Sequence, residues 1–90
     1  MKADIKRKAT MRLRIIQGQI KGLAQMVEDE KYCVDIIMQA SAVKEAISGV
    51  EHLILENHLA THVIHQMRTG KEKKAIDEIV KIYKLAQKKK

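Results

Sequence analysis

Ninety residues carry 18 Lys and Arg against 11 Asp and Glu, a net charge of +7, with no Pro, Trp or Phe and two Tyr. That length suits one domain over residues 1–90, and the excess of Ala, Ile, Leu, Val, Met, Lys and Glu is that of an all-α chain. A single cysteine excludes an intramolecular disulfide framework and fits a reducing cytosol. The lysine-rich start lacks the apolar run of a signal peptide, and no apolar stretch approaches spanning length, so a cytoplasmic protein without a membrane partner is expected.

The charge is unevenly spread. Residues 1–22 hold seven bases and one acid, residues 23–67 two bases and seven acids, and residues 68–90 nine bases and three acids. Two basic ends around an acidic middle suit a polyanion partner, although the same lysines also serve as ordinary solvating charge. The scarcity of aromatic rings argues against single-stranded nucleic acid, which is held by stacking. No helix–turn–helix, zinc-finger or basic-zipper pattern is present.

The first helix is expected over about residues 4–28. Leu13, Ile16, Ile20, Leu23 and Val27 form an alternating three-and-four seam of the kind that packs against other helices. Gly18 and Gly22, one turn apart, predict a face where a neighbouring helix comes close. Arg7, Arg14 and Lys21 make a basic stripe with Arg12 beside it. A turn is expected at residues 28–31, whose acids suit the N-terminus of the next helix.

The second helix is expected to run unbroken from Tyr32 to Met67. Ile36, Ala40, Val43, Ile47, Val50 and Ile54 continue the seam, and Ile37, Leu53, Leu55, Leu59 and Val63 widen the apolar surface. Such a helix is about 50 Å long, more than its neighbours can cover, which predicts an obligate homo-oligomer. Gly70 reads as a helix stop. A third helix follows over about residues 72–85, with Ile76, Ile79, Val80, Tyr83 and Leu85 as its apolar set, and Lys88 to Lys90 read as a frayed tail.

Candidate chemistry sits at the two ends of the central helix. Cys33 opens it, and His58, His62 and His65 follow at spacings that put three imidazoles on one α-helical face. A thiolate with two imidazoles suits trigonal Cu(I), and a fourth ligand would suit Zn(II). Spacing alone equally allows a small buried cysteine and a chance histidine pair. Cys33 and His58 are 25 residues apart, about 37 Å along a helix, so one chain cannot close a site with both. A second chain running antiparallel could. His65 falls a turn beyond the pair, and His52 lies off that face as ordinary surface. Catalysis has little support: Cys33 has no base near it in sequence, and no phosphate-cradling loop is present. A bundle that binds DNA constitutively, with the cysteine and histidines inert, is the rival reading. A cysteine nucleophile paired with a histidine across an interface is a distant third.

The residues Arg12 to Gly22 (RLRIIQGQIKG), Tyr32 to Asp35 (YCVD), Gln39 to Lys44 (QASAVK) and Glu56 to Leu59 (ENHL) together resemble the copper-sensing operon repressor family, over nearly the whole chain. The resemblance implies a three-helix protomer with one long central helix, an antiparallel dimer, and a dimer of dimers. It also implies repression of transcription on double-stranded operator DNA, relieved when the ligand binds. Carried onto this chain, the metal ligands are Cys33 from one protomer with His58 and His62 from the other. Tyr32 and Glu78 fall at the outer positions that orient such ligands, and Arg12, Lys44 and, from the basic stripe, Arg14 are the DNA-contacting candidates.

The ligand set also sorts the branches. Copper sensors of the family carry Cys, His, Cys, whereas this chain has His62 last. The nickel/cobalt branch adds an N-terminal histidine, and residues 1–10 have none; the formaldehyde branch has proline where Lys2 stands; the persulfide branch needs two cysteines. Tyr32 and Glu78 favour Cu(I) as effector, with zinc left possible by His62.

Overall fold

The computed structural model describes residues 1–87, so the expected tail at Lys88 to Lys90 lies outside the described residues. Every element is helical: α1 (Ala3–Glu28), α2 (Cys33–His58), a π-helical segment (Leu59–Val63), α3 (Ile64–Arg68) and α4 (Glu72–Gln87). The chain divides into two compact units, Met1–Asn57 and His58–Lys90.

In the first unit, α1 and α2 meet along a seam of small and branched side chains. Ala9 and Ile16 of α1 and Val43 and Leu53 of α2 are its buried apolar residues. The inward set of α1 is Ile5, Ala9, Ile16, Gln19, Leu23 and Met26, not the expected one. Ile16 and Leu23 point in as expected, but Leu13, Ile20 and Val27 are exposed. The reason is that α1 carries apolar residues on more than one face, and the face turned toward α2 is displaced by a residue. Arg12 occupies a step of this seam and spans it, its Nη1 donating to the Gly49 carbonyl at 3.4 Å. The expected seam of α2 holds better: Val43 is buried, Ile36, Ala40, Val50 and Ile54 are half-buried, and Ile47 is exposed. Nothing lies within 4 Å of where a Cβ would stand on Gly18 or Gly22, so the close helix approach expected there is not made within the chain.

Both ends of α1 are satisfied in ways no sequence marker announces. At its start, the Lys2 N–H donates to Asn57 Oδ1 at 3.1 Å, so a side chain 55 positions away caps the helix. At its end, Glu30 N–H reaches the Val27 carbonyl and Lys31 N–H the Met26 carbonyl, both at 3.0 Å, the pair of bonds of a Schellman closure. Glu30 takes the left-handed position, φ 52°, which usually belongs to glycine. The acids of this turn therefore close α1; the acid in the first turn of α2 is Asp35.

The long helix is interrupted. Helical residues run from Cys33 to Arg68 without a gap, but the backbone pairing widens over Leu59–Val63 from i→i+4 to i→i+5, a feature common at functional sites. Neither Gly nor Pro marks it, which is why apolar periodicity reads it as one α-helix.

In the second unit α3 packs on α4, with Val63, Gln66 and Ala75 buried. Gly70, at φ 77°, stands in the left-handed turn after α3, and the Lys71 N–H returns to the Gln66 carbonyl at 2.6 Å. The apolar set expected for α4 is present, but Ile76, Ile79, Val80, Tyr83 and Leu85 are all exposed.

Candidate metal centre

Cys33 and Tyr32 stand at the N-terminus of α2. The Tyr32 carbonyl accepts from the Asp35 and Ile36 N–H groups at 3.0 and 3.2 Å, which makes it the residue that starts the helix. Cys33 is a free, exposed thiol, and the Tyr32 side chain is 71% exposed. At the other end of the same helix, His58 closes α2 immediately before the π-helical segment, which carries His62.

His58 and His62 are brought together: their ring centroids are 5.3 Å apart, tilted at 44°. An imidazole bound at about 2.0–2.1 Å holds its centroid roughly 3 Å from the ion, so two rings at this separation can share one. His65 is not part of the pair. It is exposed, and its carbonyl accepts from Thr69 Oγ1 at 2.9 Å. His52 is exposed on α2.

Glu78 of α4 reaches the same place. Its Oε2 lies 3.0 Å from His58 Nε2, with both side chains partly covered, 23% and 33% exposed. The approach is within ion-pair reach but off the line of the ring N–H, so it does not complete a directional hydrogen bond. A carboxylate can only accept, so its approach favours the tautomer with the hydrogen on Nε2. That tautomer leaves the lone pair of His58 on Nδ1; in metal sites generally, an outer carboxylate sets a histidine's tautomer in this way.

Sequence reasoning missed Gln66. Its side chain is 8% exposed, its Nε2 donates to Glu78 Oε1 at 3.5 Å, and among the described residues nothing donates to its Oε1. A polar residue between two histidines and a helix stop gave no signal of being buried.

Among the described residues, no three His, Cys, Asp or Glu side chains of one chain gather as metal ligands. The histidine pair with its carboxylate and the free thiol stand at opposite ends of α2. As for the DNA candidates, Arg12 is drawn toward Gly49, while Arg14 and Lys44 are exposed on α1 and α2. No helix of the described residues is long and apolar enough to cross a membrane.

Residues 5–84 match the family described as metal-sensitive transcriptional repressor. The chain is 40% identical over 75 residues to the copper-sensing transcriptional repressor CsoR of Bacillus subtilis, covering 83% of this chain and 74% of that one. It is 41% identical over 59 residues to the copper-sensing transcriptional repressor RicR of Mycobacterium tuberculosis, covering 66% of this chain and 62% of the relative. The crystal structure of the copper-sensing repressor CsoR with Cu(I) from Geobacillus thermodenitrificans superposes with a TM-score of 0.89 at 31% identity, over 97% of this chain and 91% of that one.

Proposed function

Because the chain belongs to the metal-sensitive transcriptional repressors, we propose that it is a cytoplasmic Cu(I)-responsive repressor. In this reading it binds double-stranded operator DNA as a homo-oligomer and is released when copper binds. The observation that carries this is the His58–His62 pair with His58 Nε2 turned to Glu78.

Cys33 of one protomer and His58 and His62 of its partner hold the ion, because the helix that separates them cannot fold back on itself. Cu(I) supplies a soft centre that takes thiolate and imidazole in trigonal coordination. Glu78 keeps His58 in the tautomer that offers Nδ1, and Tyr32, next to the thiol, comes to the same place from the other chain. The exposed apolar residues support pairing of chains: Leu13, Ile20 and Val27 on α1, Ile37 and Ile47 on α2, and the five apolar residues of α4 form more apolar surface than an isolated chain leaves in water. An antiparallel dimer, and a dimer of dimers, bury it.

Arg14 and Lys44, with Arg12 where its hydrogen bond to Gly49 allows, meet phosphates rather than base edges. Release follows from differential binding: an oligomer shape favoured by the filled site matches the duplex less well. Operator DNA must then weaken copper binding by the same factor.

His62 stands where a second thiolate would better suit a soft ion, so zinc is the competing effector. Operator binding measured with Cu(I), Zn(II), Ni(II) and Co(II) in turn tests the reading. Release by Cu(I) at the lowest free concentration is expected. Release by Zn(II) alone would reassign the effector, and no release by any metal would leave a constitutive DNA-binding bundle.

A further inference from the structure

We propose that Gln66 is a positioning residue for His58, acting through Glu78. The two oxygens of the Glu78 carboxylate are divided: Oε2 lies 3.0 Å from His58 Nε2, and Oε1 accepts from Gln66 Nε2 at 3.5 Å. Glu78 stands on a long side chain, and a carboxylate held by one partner alone turns freely about its last torsion, whose well is broad. A second partner on the other oxygen removes that freedom and keeps Oε2 toward the ring.

As packing, a glutamine here is a poor choice. Gln66 is 8% exposed, and among the described residues its Oε1 has no donor, which costs free energy that methionine or leucine of similar size would not. What the amide supplies, and an apolar side chain cannot, is the N–H on Glu78. The same α3 turn also holds the Gln66 carbonyl, which accepts from the Lys71 N–H, so the backbone that carries the amide is itself fixed.

This inference rests on the reading of His58 as a ligand whose tautomer Glu78 sets, and the experiment separates the two. Gln66→Met preserves volume and removes the amide; Glu78→Leu removes the carboxylate. The first readout needs no metal: the tautomer of the neutral His58 ring in the full-length apo-protein, from its ¹⁵N shifts. The second is Cu(I) affinity by chelator competition. Wild type is expected to hold His58 almost wholly as the Nε2–H form. Gln66→Met should give a mixture of both forms, with Cu(I) affinity lower by about tenfold, the lower end of what outer partners of a ligand contribute. Thermal unfolding should be unchanged or raised. If Gln66→Met leaves the tautomer as in wild type while Glu78→Leu shifts it, the role of Gln66 is overturned and that of Glu78 stands. Weaker Cu(I) binding without a tautomer change overturns it too, since loosened packing alone would do that. If Glu78→Leu changes neither readout, the reading of His58 falls and this inference with it.

Discussion

The proposed site, divided between the two ends of one helix, makes a prediction that no single-chain site can imitate. Cys33 and His58 bracket the 26 residues of α2, which sets them about 37 Å apart at 1.5 Å per residue. Each dimer then has two sites, each built from the thiol of one chain and the imidazoles of the other. Cys33→Ala destroys both, and so does a His58→Ala, His62→Ala double variant. Mix the two variants in equal amounts, unfold and refold them together, and about half of the dimers pair unlike chains. In those, one site receives Cys33 from the histidine variant and both histidines from the cysteine variant, and is whole; the other receives nothing. The mixture should bind about one quarter of the wild-type Cu(I), although neither parent binds any tightly. Titration against a coloured Cu(I) chelator reads this directly. A mixture that binds no more than its parents would refute the shared site.

Three further outcomes are expected. Operator affinity should fall with salt at a log–log slope near −0.9 per phosphate neutralised; Arg14→Gln and Lys44→Gln should each flatten that slope by about 0.9 for every protomer whose residue meets a phosphate, and an unchanged slope would remove them from the interface. Glu30→Gly should stabilise the fold by roughly 0.5–1 kcal/mol, because relief of about 1–2 kcal/mol at a left-handed position exceeds the added freedom of glycine when unfolded; a lower midpoint of thermal unfolding would count against the Schellman closure of α1. Gly70→Ala meets no atom within 4 Å, so its cost is conformational alone, about 1 kcal/mol, read as a midpoint lower by about 4–8 °C for a chain of this size.

The limits of α1 and α4 were legible because helical periodicity persists to their ends: it marks residues 4–28 and 72–85, and the helices span Ala3–Glu28 and Glu72–Gln87. The stop at Gly70 was legible for the same reason that glycine is useful there. Glu30 was not, since a glutamate in the left-handed region leaves no compositional trace. The side of α1 facing inward was misassigned by one seam: a helix that packs within its chain and also carries exposed apolar residues offers two valid readings. The histidine pair followed from spacing, but its pairing with Glu78 came from family resemblance; nothing in the spacing joins residues 58 and 78. Gln66 was invisible to both approaches, being polar, buried and outside every motif.

The hydrogen bond from Lys2 to Asn57 has a consequence for the chain as it is being made. Its partners are 55 positions apart, so at about 5–20 residues per second of synthesis the start of α1 waits roughly 3–11 s for its cap. Ile16 of α1 and Val43 of α2, both buried in the finished unit, are likewise made at different times. For those seconds the basic α1 segment lacks its partner helix, and its apolar side chains are uncovered. It emerges beside ribosomal RNA, itself a polyanion. The end of α1 that is last to be capped is also the one crowded with Lys2, Lys6, Arg7 and Lys8.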